Sequence, residues 1–348
     1  MNIVVLAGGL SPEREVSLIT GKGVCEALRS KGHKAVLLDV FFGYGKKGDD
    51  LSDVFEKDSL LKEDVSAVGV AEPDIEKVKE LRGGDAKGFF GENVLDICGM
   101  ADIVFMALHG ADGEDGKVQA AFDLLGIKYT GSGYLGSAVA MDKGISKKLF
   151  ETEDIPTPMG VSMKKDSVKK MPGGMGYPCV VKPCSGGSSV GVSIANDEEE
   201  FLKALDAAFK YEDEVIIEEY IKGREFSVGV LAGKSLPVIE IIPKEGFYDY
   251  KTKYQPGMAD DVCPADITKE QTETMQKYAS RVYNILKLKT YARIDFLLDE
   301  KGGIYCLEAN TLPGMTPTSL IPQEAKADGM DYARLCEFIV NDSLNYNA

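Results

Sequence analysis

Asp295, Glu308 and Asn310 are the residues of this sequence whose types and spacing best fit metal chemistry. They lie in two mainly apolar runs that are typical of β-strands and are joined by a short turn-like segment. If Asp299 pairs with Ile304 at the end of this hairpin, Asp295 lies directly opposite Glu308. Residues two apart on a strand share one face, so Asn310 joins the two carboxylates there. Two carboxylates and an amide oxygen are suitable hard ligands for Mg²⁺.

Arg293 lies opposite Asn310 in the same register, so one arginine shares the acidic face. Carboxylates that face each other across a ladder repel unless a cation lies between them, which favours a metal site. A solvated sheet face with unpaired charges is the alternative, and it fits less well because nearly every other residue of both strands is apolar. Since protein-bound Mg²⁺ commonly holds phosphate groups, the hairpin indicates an ATP site.

A glycine-rich segment at residues 182–191, KPCSGGSSVG, lies between two apolar runs. Its glycines could let backbone N–H groups close over a phosphate tail, and Lys182 and Lys143 could add positive charge. The spacing does not match a P-loop, and no helix is predicted to follow. A hairpin loop selected only for flexibility is the alternative, and each lysine taken alone could be a surface residue.

Three further positions could contact a nucleotide or a small substrate. The segment at 216–225, IIEEYIKGRE, ends an apolar strand and could present backbone groups to an adenine edge. Glu13 follows Ser11 and Pro12, interpreted as an N-cap and first helical residue, so it could complement the helix dipole or clamp a substrate ammonium. His109 ends a strand before a glycine-rich loop and could pack within the loop or contact a substrate.

The composition disfavours several classes of protein. With 348 residues, 44% of them hydrophobic, the chain can form two or three domains with ordinary cores. A net charge of −16 disfavours nucleic-acid and membrane partners, because both need a basic face. Seven cysteines without a Cys-x-x-Cys pair, no export leader and no long apolar run together predict a cytoplasmic protein. With two histidines, a zinc enzyme is improbable.

The pattern of elements predicts an α/β (α+β) fold. The chain opens with a β-α-β unit whose GGLSPE loop follows the first strand, where α/β sheets bind ligands. Weakly patterned residues at about 41–100 are interpreted as an insertion with short helices. We predict domain limits at residues 1–131, 132–217 and 218–348.

Nine motifs in order carry a family resemblance: GGLSPEREVS, HGADGEDG, YTGSG, MDK, KPCSGGSSVG, EEYIKGREF, FYDYKTKY, RIDF and LEANTLPGMTPTSL. Together they resemble the D-alanine–D-alanine ligase family of the ATP-grasp fold, from residue 2 to about residue 340 apart from the insertion. The resemblance implies a Rossmann-like N-terminal substrate domain, and ATP and Mg²⁺ gripped between a central domain and a C-terminal catalytic domain.

The resemblance also implies four groups of site residues. The Mg²⁺ ligands, for two ions with Mn²⁺ as an alternative, would be Asp295, Glu308 and Asn310. The ATP contacts would be Lys143, Lys182, Glu218, Glu219, Ile221, Glu225 and Lys253. The substrate contacts would be His109, Ser319 and Leu320. The residues that act in the reaction would be Glu13, Ser188, Arg293, Gly314 and Tyr254.

Within these groups, Glu13 resembles the residue that holds the ammonium of the first D-alanine. Arg293 and the Gly314 N–H resemble the pair that binds the substrate carboxylate and then the oxyanion. Ser319 and Leu320 resemble the residues that receive the carboxylate of the second substrate.

The remaining residues belong to a lid. The hydroxyl groups of Ser188 and Tyr254 resemble a pair that ties the glycine loop to the loop at 246–264, and Lys253 resembles a γ-phosphate contact. The Lys253–Tyr254 pair is similar to that of dipeptide-forming members of the family.

The implied reaction joins two D-alanines for peptidoglycan precursors through an acyl phosphate, in a cytoplasmic enzyme expected to be a homodimer. The absence of an obvious nucleophile–base pair agrees with a reaction that needs no covalent enzyme intermediate. D-serine or D-lactate as second substrate, and a non-catalytic ATP-binding regulator, are alternatives. A dinucleotide-dependent oxidoreductase is disfavoured because the first loop reads AGGLSP and not G-x-G-x-x-G.

Overall fold

The computed structural model describes residues 1–62, 69, 73–83, 88–187, 190–244 and 258–346. Within these ranges the chain forms three β-sheets with helices packed against them, which confirms the predicted α/β class. No described helix combines the length and apolar character needed to span a membrane.

The first sheet is parallel, with strand order β2-β1-β3. Its strands are β1 (Asn2–Ala7), β2 (Lys34–Asp39) and β3 (Ile103–Met106). Helix α1 (Arg14–Ser30) connects β1 to β2, as the sequence predicts. These strands are almost entirely buried, as is typical of parallel strands covered by helices on both faces.

Short helices occupy the described part of the segment 41–100, as predicted. They are a 3₁₀ turn at Val54–Glu56, α2 (Ile75–Arg82) and α3 (Val94–Met100). Phe55 and Ile97 of this segment are buried in the core of the first sheet. Four more helices follow β3: α4 (Ala111–Glu114), α5 (Lys117–Leu125), α6 (Tyr134–Met141) and α7 (Lys143–Thr152).

The second sheet is antiparallel, with strand order β4-β7-β5-β6. Its strands are β4 (Gly160–Lys164), β5 (Cys179–Pro183), β6 (Ser193–Ala195) and β7 (Glu214–Glu219), and helix α8 (Glu198–Ala208) covers it. The glycine loop joins β5 to β6, as predicted. Phe201 and Leu205 lie on the buried face of α8, so this domain has a small core of its own.

The third sheet has the strand order β11-β10-β8-β12-β13, with β9 paired to β8. Its strands are β8 (Gly223–Leu231), β9 (Lys234–Ser235), β10 (Ile239–Pro243), β11 (Ala259–Val262), β12 (Tyr291–Asp299) and β13 (Ile304–Asn310). Helices α9 (Lys269–Ile285), α10 (Leu320–Ala327) and α11 (Tyr332–Tyr346) complete the chain. Thr268 and Gln271 form a capping box that fixes the start of α9.

Helices α6 and α7 pack with the third sheet, because Ala140 and Phe150 belong to its core. Both helices fall within the residues 132–217 assigned to the central domain by sequence. The predicted limit at residue 217 also falls inside β7. The three sheets are therefore clearer units than the predicted domain limits, which remain a prediction.

The β12–β13 hairpin differs from the predicted pairing at its tip. Leu298, not Asp299, pairs with Ile304, so the predicted closing pair is wrong by one residue. The side chain of Asp299 instead accepts hydrogen bonds from the Lys301 and Gly303 N–H groups and shapes the turn. The Asp299 N–H also donates to the Gly303 carbonyl at 2.9 Å, so three residues, and not the predicted four, lie inside the last bonded pair of the turn.

A β-bulge farther along the hairpin restores the predicted register. The pairing shifts after Asp295 and leaves Leu307 outside the paired positions. Beyond the bulge, Asp295 pairs with Glu308, and Arg293 pairs with Asn310, as predicted. An extra residue in one strand reverses the side-chain alternation, so the bulge determines which side chains reach the acidic face.

Glu324 on α10 fills a gap at the edge of β8. Strand β10 pairs with β8 only as far as Ser227, and β9 begins to pair at Val230. Between them, the Gly229 N–H donates to Glu324 Oε1 at 3.0 Å. A Cβ atom on Gly229 would lie 2.5 Å from Glu324 Oε2, so only glycine allows this approach. The carboxyl group is fully buried, and burial raises its pKa well above the usual value.

We expect the stability of this protein to fall with pH through Glu324. Its folded-state pKa lies above the ordinary value of 4.5, so its contribution is complete below that pH and is lost as pH rises toward the folded-state pKa. Glu324→Gln removes the ionisation but keeps the acceptor for Gly229. Between about pH 5.5 and pH 8.5, the thermal midpoint should therefore fall less in this variant than in the parent. Glu270→Gln, an exposed position on α9, is the control, and equal pH slopes in Glu324→Gln and the parent would contradict the assignment.

Candidate functional site

Two cavities meet at the junction of the three sheets. One, here called the Glu13 cavity, has a volume of about 550 Å³, and the other, the Glu218 cavity, about 400 Å³. They share four lining residues: Lys143, Gly186, Gly187 and Glu308. Two compartments that communicate across one charged wall suit two different ligands that react where they meet.

The predicted metal ligands lie together on this wall. Asp295 Oδ2 accepts a hydrogen bond from Asn310 Nδ2 at 3.0 Å, and Glu308 lies across the ladder from Asp295. Ser227 Oγ also donates to Asp295, at 2.9 Å. Among the described residues no three His, Cys, Asp or Glu side chains form a metal-binding group, so a metal here depends on the Asn310 amide oxygen as third donor.

Two cations compensate the carboxylates of this face. Arg293 donates to both oxygens of Asp295, at 2.9 Å from Nε and 2.8 Å from Nη2. Lys143 Nζ lies 3.1 Å from Glu308 Oε2. Burial alone would lower the pKa of Lys143, but the charge and hydrogen bond of Glu308, together with the charges of Glu218 and Glu212, outweigh burial and raise this pKa. The lysine therefore remains charged at the wall between the cavities.

Lys143 also holds the glycine loop. Its Nζ donates to the Gly186 carbonyl at 2.6 Å, and its backbone N–H donates to the Cys184 carbonyl at 3.0 Å. Lys143 is the first residue of α7, where the Asp142 side chain caps the helix through the Ile145 N–H. The surface position considered for Lys143 from the sequence is wrong, because the side chain is buried.

A buried ion-pair network lines the Glu218 cavity. Glu218 Oε2 lies 2.8 Å from Lys182 Nζ, and Glu218 Oε1 lies 3.0 Å from Lys147 Nζ. Burial alone would raise the pKa of Glu218, but the two lysines outweigh it and hold this pKa below its usual value. Lys182 is buried as well, so a surface position is also wrong for this residue.

Three other predicted ATP contacts line this cavity, whereas the three predicted lid residues lie outside the described ranges. Glu219, Ile221 and Glu225 line the Glu218 cavity. Glu219 Oε1 also accepts from the Met159 N–H at 2.8 Å and so joins β7 to the start of β4. Ser188, Lys253 and Tyr254 lie outside the described residues.

Glu13 lines the other cavity, but the helix beside it starts later than predicted. Helix α1 begins at Arg14 with Glu13 at the N-cap position, so the N-cap predicted at Ser11 is wrong. Ser11 Oγ instead donates to the His109 carbonyl at 2.7 Å and accepts from the Glu13 N–H at 3.2 Å. These bonds fix Glu13 beside the loop that follows β3.

His109 connects this loop to the C-terminal part of the chain. Its Nδ1 lies 2.8 Å from the Leu312 carbonyl and its Nε2 lies 3.0 Å from Thr20 Oγ1. Burial lowers the pKa of the ring, so the neutral form donates to Leu312 and accepts from Thr20. His109 thus lines the cavity and also holds the loop after β13.

Glu114 is a half-buried residue that the sequence analysis missed. It accepts from the Gly110 N–H at 3.1 Å and, through Oε2, from the Thr311 and Leu312 N–H groups at 3.0 and 3.1 Å. Burial and the negative charge of Glu13 raise its pKa to about 7. Glu114 and His109 therefore fasten the same segment, which directly follows Asn310.

Gly314, Ser319 and Leu320 also line the Glu13 cavity. Ser319 is the N-cap residue of α10, and its Oγ accepts from the Thr316 N–H at 3.0 Å. A turn therefore presents Gly314 and the first residues of α10 to the same cavity as Arg293.

Comparisons with known proteins agree with this arrangement. The model of the D-ala D-ala ligase N-terminus matches residues 2–132, and that of the D-ala D-ala ligase C-terminus matches residues 149–341. The chain belongs to the D-alanine–D-alanine ligase family. The D-alanine–D-alanine ligase of Pediococcus pentosaceus is 47% identical over 98% of this chain and 97% of its own, and that of Lacticaseibacillus casei is 45% identical over 100% and 97%.

Solved structures of the D-alanine–D-alanine ligase family have the same fold. The ligase of Bacillus anthracis complexed with ATP has a TM-score of 0.73 and 32% identity, and covers 100% of this chain and 98% of its own. The ligase of Coxiella burnetii has a TM-score of 0.75 and 25% identity, and covers 100% and 94%. The ATP-grasp fold expected from the resemblance is confirmed.

Lys147 was also missed by the sequence analysis. It lies four residues after Lys143 on α7, a spacing that places both lysines on one helix face. Besides Glu218, it donates to Thr157 Oγ1 at 2.6 Å and to the Pro158 carbonyl at 3.0 Å. Lys147 therefore positions Glu218 from behind the cavity.

Lys147→Met should weaken ATP binding by this ligase about tenfold or more. The variant leaves buried Glu218 with only Lys182 as a counter-charge, and breaking a buried pair costs roughly 3–5 kcal/mol, shared between folding and binding. ATP affinity is measured by calorimetry. Lys148→Met, an exposed neighbour, is the control and should bind as the parent does. An unchanged ATP affinity in a folded Lys147→Met protein would show that Lys147 does not position Glu218 for ATP binding.

Glu114→Gln should lower ligase kcat about tenfold to a hundredfold, because an amide oxygen cannot replace both acceptor oxygens and the loop after Asn310 shifts. In the parent, activity should fall below about pH 7, as protonation of Glu114 removes part of its acceptor capacity. This limb of the pH profile should be absent from the variant. Asp115→Asn, whose side chain pairs with Lys117, is the control. A limb near pH 7 that persists in Glu114→Gln would assign it to another group.

Proposed function

We propose that this chain joins two molecules of D-alanine at the expense of ATP. The intermediate is an acyl phosphate, which forms from the γ-phosphoryl group of ATP and the first D-alanine. The observation that carries the proposal is the charged wall at which the two cavities meet. ATP binds in the Glu218 cavity with its phosphates toward Lys143 and the glycine loop. The first D-alanine binds in the Glu13 cavity, with its ammonium at Glu13 and its carboxylate near Arg293.

The same proposal assigns a metal to the face of the hairpin. Asp295, Glu308 and Asn310 would hold Mg²⁺, and their set of two carboxylates and an amide fits a hard cation. When bound, Mg²⁺ supplies positive charge for the ATP phosphates. Arg293 and Lys143 already compensate these carboxylates, so the charge of the site is neutralised locally and does not depend on the net charge of the protein.

The first step transfers the γ-phosphoryl group of ATP to a carboxylate oxygen of the first D-alanine, and ADP leaves. Lys143 and Lys182 offset charge on the phosphates, and Glu13 and Arg293 hold the D-alanine at both ends. No side chain of the protein needs to be a nucleophile.

In the second step, the amine of another D-alanine attacks the acyl carbon. The C–N bond forms, the bond to the phosphate oxygen breaks, and phosphate and one proton leave. Arg293 and the Gly314 N–H would stabilise the tetrahedral oxyanion, and Ser319 and Leu320 would receive the carboxylate of the second D-alanine. Ser188, Lys253 and Tyr254 would cover the site and limit hydrolysis of the acyl phosphate.

We further propose a cytoplasmic homodimer that supplies peptidoglycan precursors. Seven free cysteines, six of them buried, support a reducing compartment. The exposed apolar residues Leu124, Leu125, Tyr134 and Leu135 support a contact with a second copy.

The test is ADP release by the purified protein with ATP, Mg²⁺ and D-alanine, with products identified by mass. We expect D-alanyl-D-alanine as the main product, and a loss of about a hundredfold or more in Asp295→Asn, as removal of a metal ligand predicts. Glu300→Gln, in the exposed turn of the same hairpin, should remain active. Adding D-serine or D-lactate distinguishes the related ligases by the mass of the mixed product. ATP binding without D-alanine-dependent ADP release would indicate a non-catalytic regulator.

A further inference from the structure

The Glu13 cavity is lined by one carboxylate that the proposed reaction does not use. Its four acidic lining residues are Glu13, Glu114, Asp261 and Glu308. Glu308 pairs with Lys143, Glu114 accepts backbone N–H groups, and Glu13 is assigned to the first ammonium. Asp261 makes no ion pair with any cation in the described ranges, although burial raises its pKa and so disfavours an uncompensated charge.

Asp261 is held beside the residues assigned to the second substrate. Its Oδ2 accepts from Gln323 Nε2 at 2.8 Å, and the same amide donates to the Thr318 carbonyl at 2.8 Å. Gln323 lies in the first turn of α10, which begins directly after Ser319. The carboxylate therefore has a defined position at the start of this helix.

The two faces of β11 separate Asp261 from its neighbour. Asp260 points to the other side of the strand, where it is exposed and lies 3.0 Å from Lys244 Nζ. Asp261 lies on the cavity side, where the positive charge of Arg293 acts on it. It is thus close to both the helix start and the arginine assigned to the acyl group.

A second amino acid in this cavity brings two charges of opposite sign. Its carboxylate is assigned to Ser319 and Leu320, and its amine must point toward the acyl carbon beside Arg293. The amine enters mainly as an ammonium at neutral pH, since α-amino groups titrate near pH 8 or above. A carboxylate that lines the same cavity as Arg293, Ser319 and Leu320 is the partner that such an ammonium needs.

We propose that Asp261 binds the ammonium of the second amino acid and so determines that the acceptor is an amino acid. This inference rests on the proposed function and deepens it. A hydroxy acid of the same size has no ammonium and would leave Asp261 uncompensated in the cavity, which disfavours its binding.

The test uses Asp261→Asn, which retains an oxygen acceptor for Gln323 but removes the charge. ADP release is measured against D-alanine concentration at saturating ATP, which yields one Michaelis constant for each D-alanine. We expect the second constant to rise about tenfold to a hundredfold, as the loss of one charged hydrogen bond predicts, while the first constant and the KM for ATP change less than about twofold. Asp261→Glu, which restores the charge, should recover part of the affinity.

Asp260→Asn is the matched control and should leave both constants unchanged. If Asp261→Asn melts normally and its Michaelis constant for the second D-alanine is unchanged or lower, the role of Asp261 is overturned but the proposed function is not. Absence of D-alanine-dependent ADP release from the parent would contradict the proposed function and this inference with it. If Asp261→Asn fails to fold, Asp261→Ser gives the same comparison, because it also removes the charge.

Discussion

The need to compensate Asp295 and Glu308 on adjacent strands governs the rest of the site. Two carboxylates across a ladder repel, and this chain has a net charge of −16, so compensation must come from particular side chains. Arg293 supplies it from the same strand, and Lys143 supplies it from α7. Helix α7 can do so because Phe150 anchors it in the core of the third sheet. Helix α7 thus brings Lys143 to the hairpin of the third sheet, while Lys147, one turn later, reaches Glu218 of the second sheet.

A second constraint joins the first domain to the hairpin. Glu114 and His109 both bind the backbone just after Asn310, so the end of β13 depends on a loop from the first sheet. Rigid support from a distant element is how an active site keeps its geometry within a fraction of an ångström. Lys147 provides the same kind of support for Glu218 on the other side of the wall.

Much of this arrangement is predictable from the sequence, because strand periodicity and hairpin register are local. The pairing of Asp295 with Glu308 is correct, but only because an error at the turn and an unpredicted bulge at Leu307 cancel. Glu114 could not be predicted, since two of its partners are backbone N–H groups almost two hundred positions away and leave no side-chain pattern. Lys147 gave a usable signal in its spacing from Lys143. Burial of Lys143 and Lys182 depends on tertiary packing, which composition does not report.

The bond between Gly229 and Glu324 has a consequence for the motions of the sheet. It is the contact through which α10, the helix that begins beside the Glu13 cavity, completes the hydrogen bonding of β8. Whenever this helix lifts, the Gly229 amide loses its acceptor and becomes open to exchange with solvent deuterium. The exchange rate of this single amide, which lies within the sheet, therefore reports how often the helix undocks.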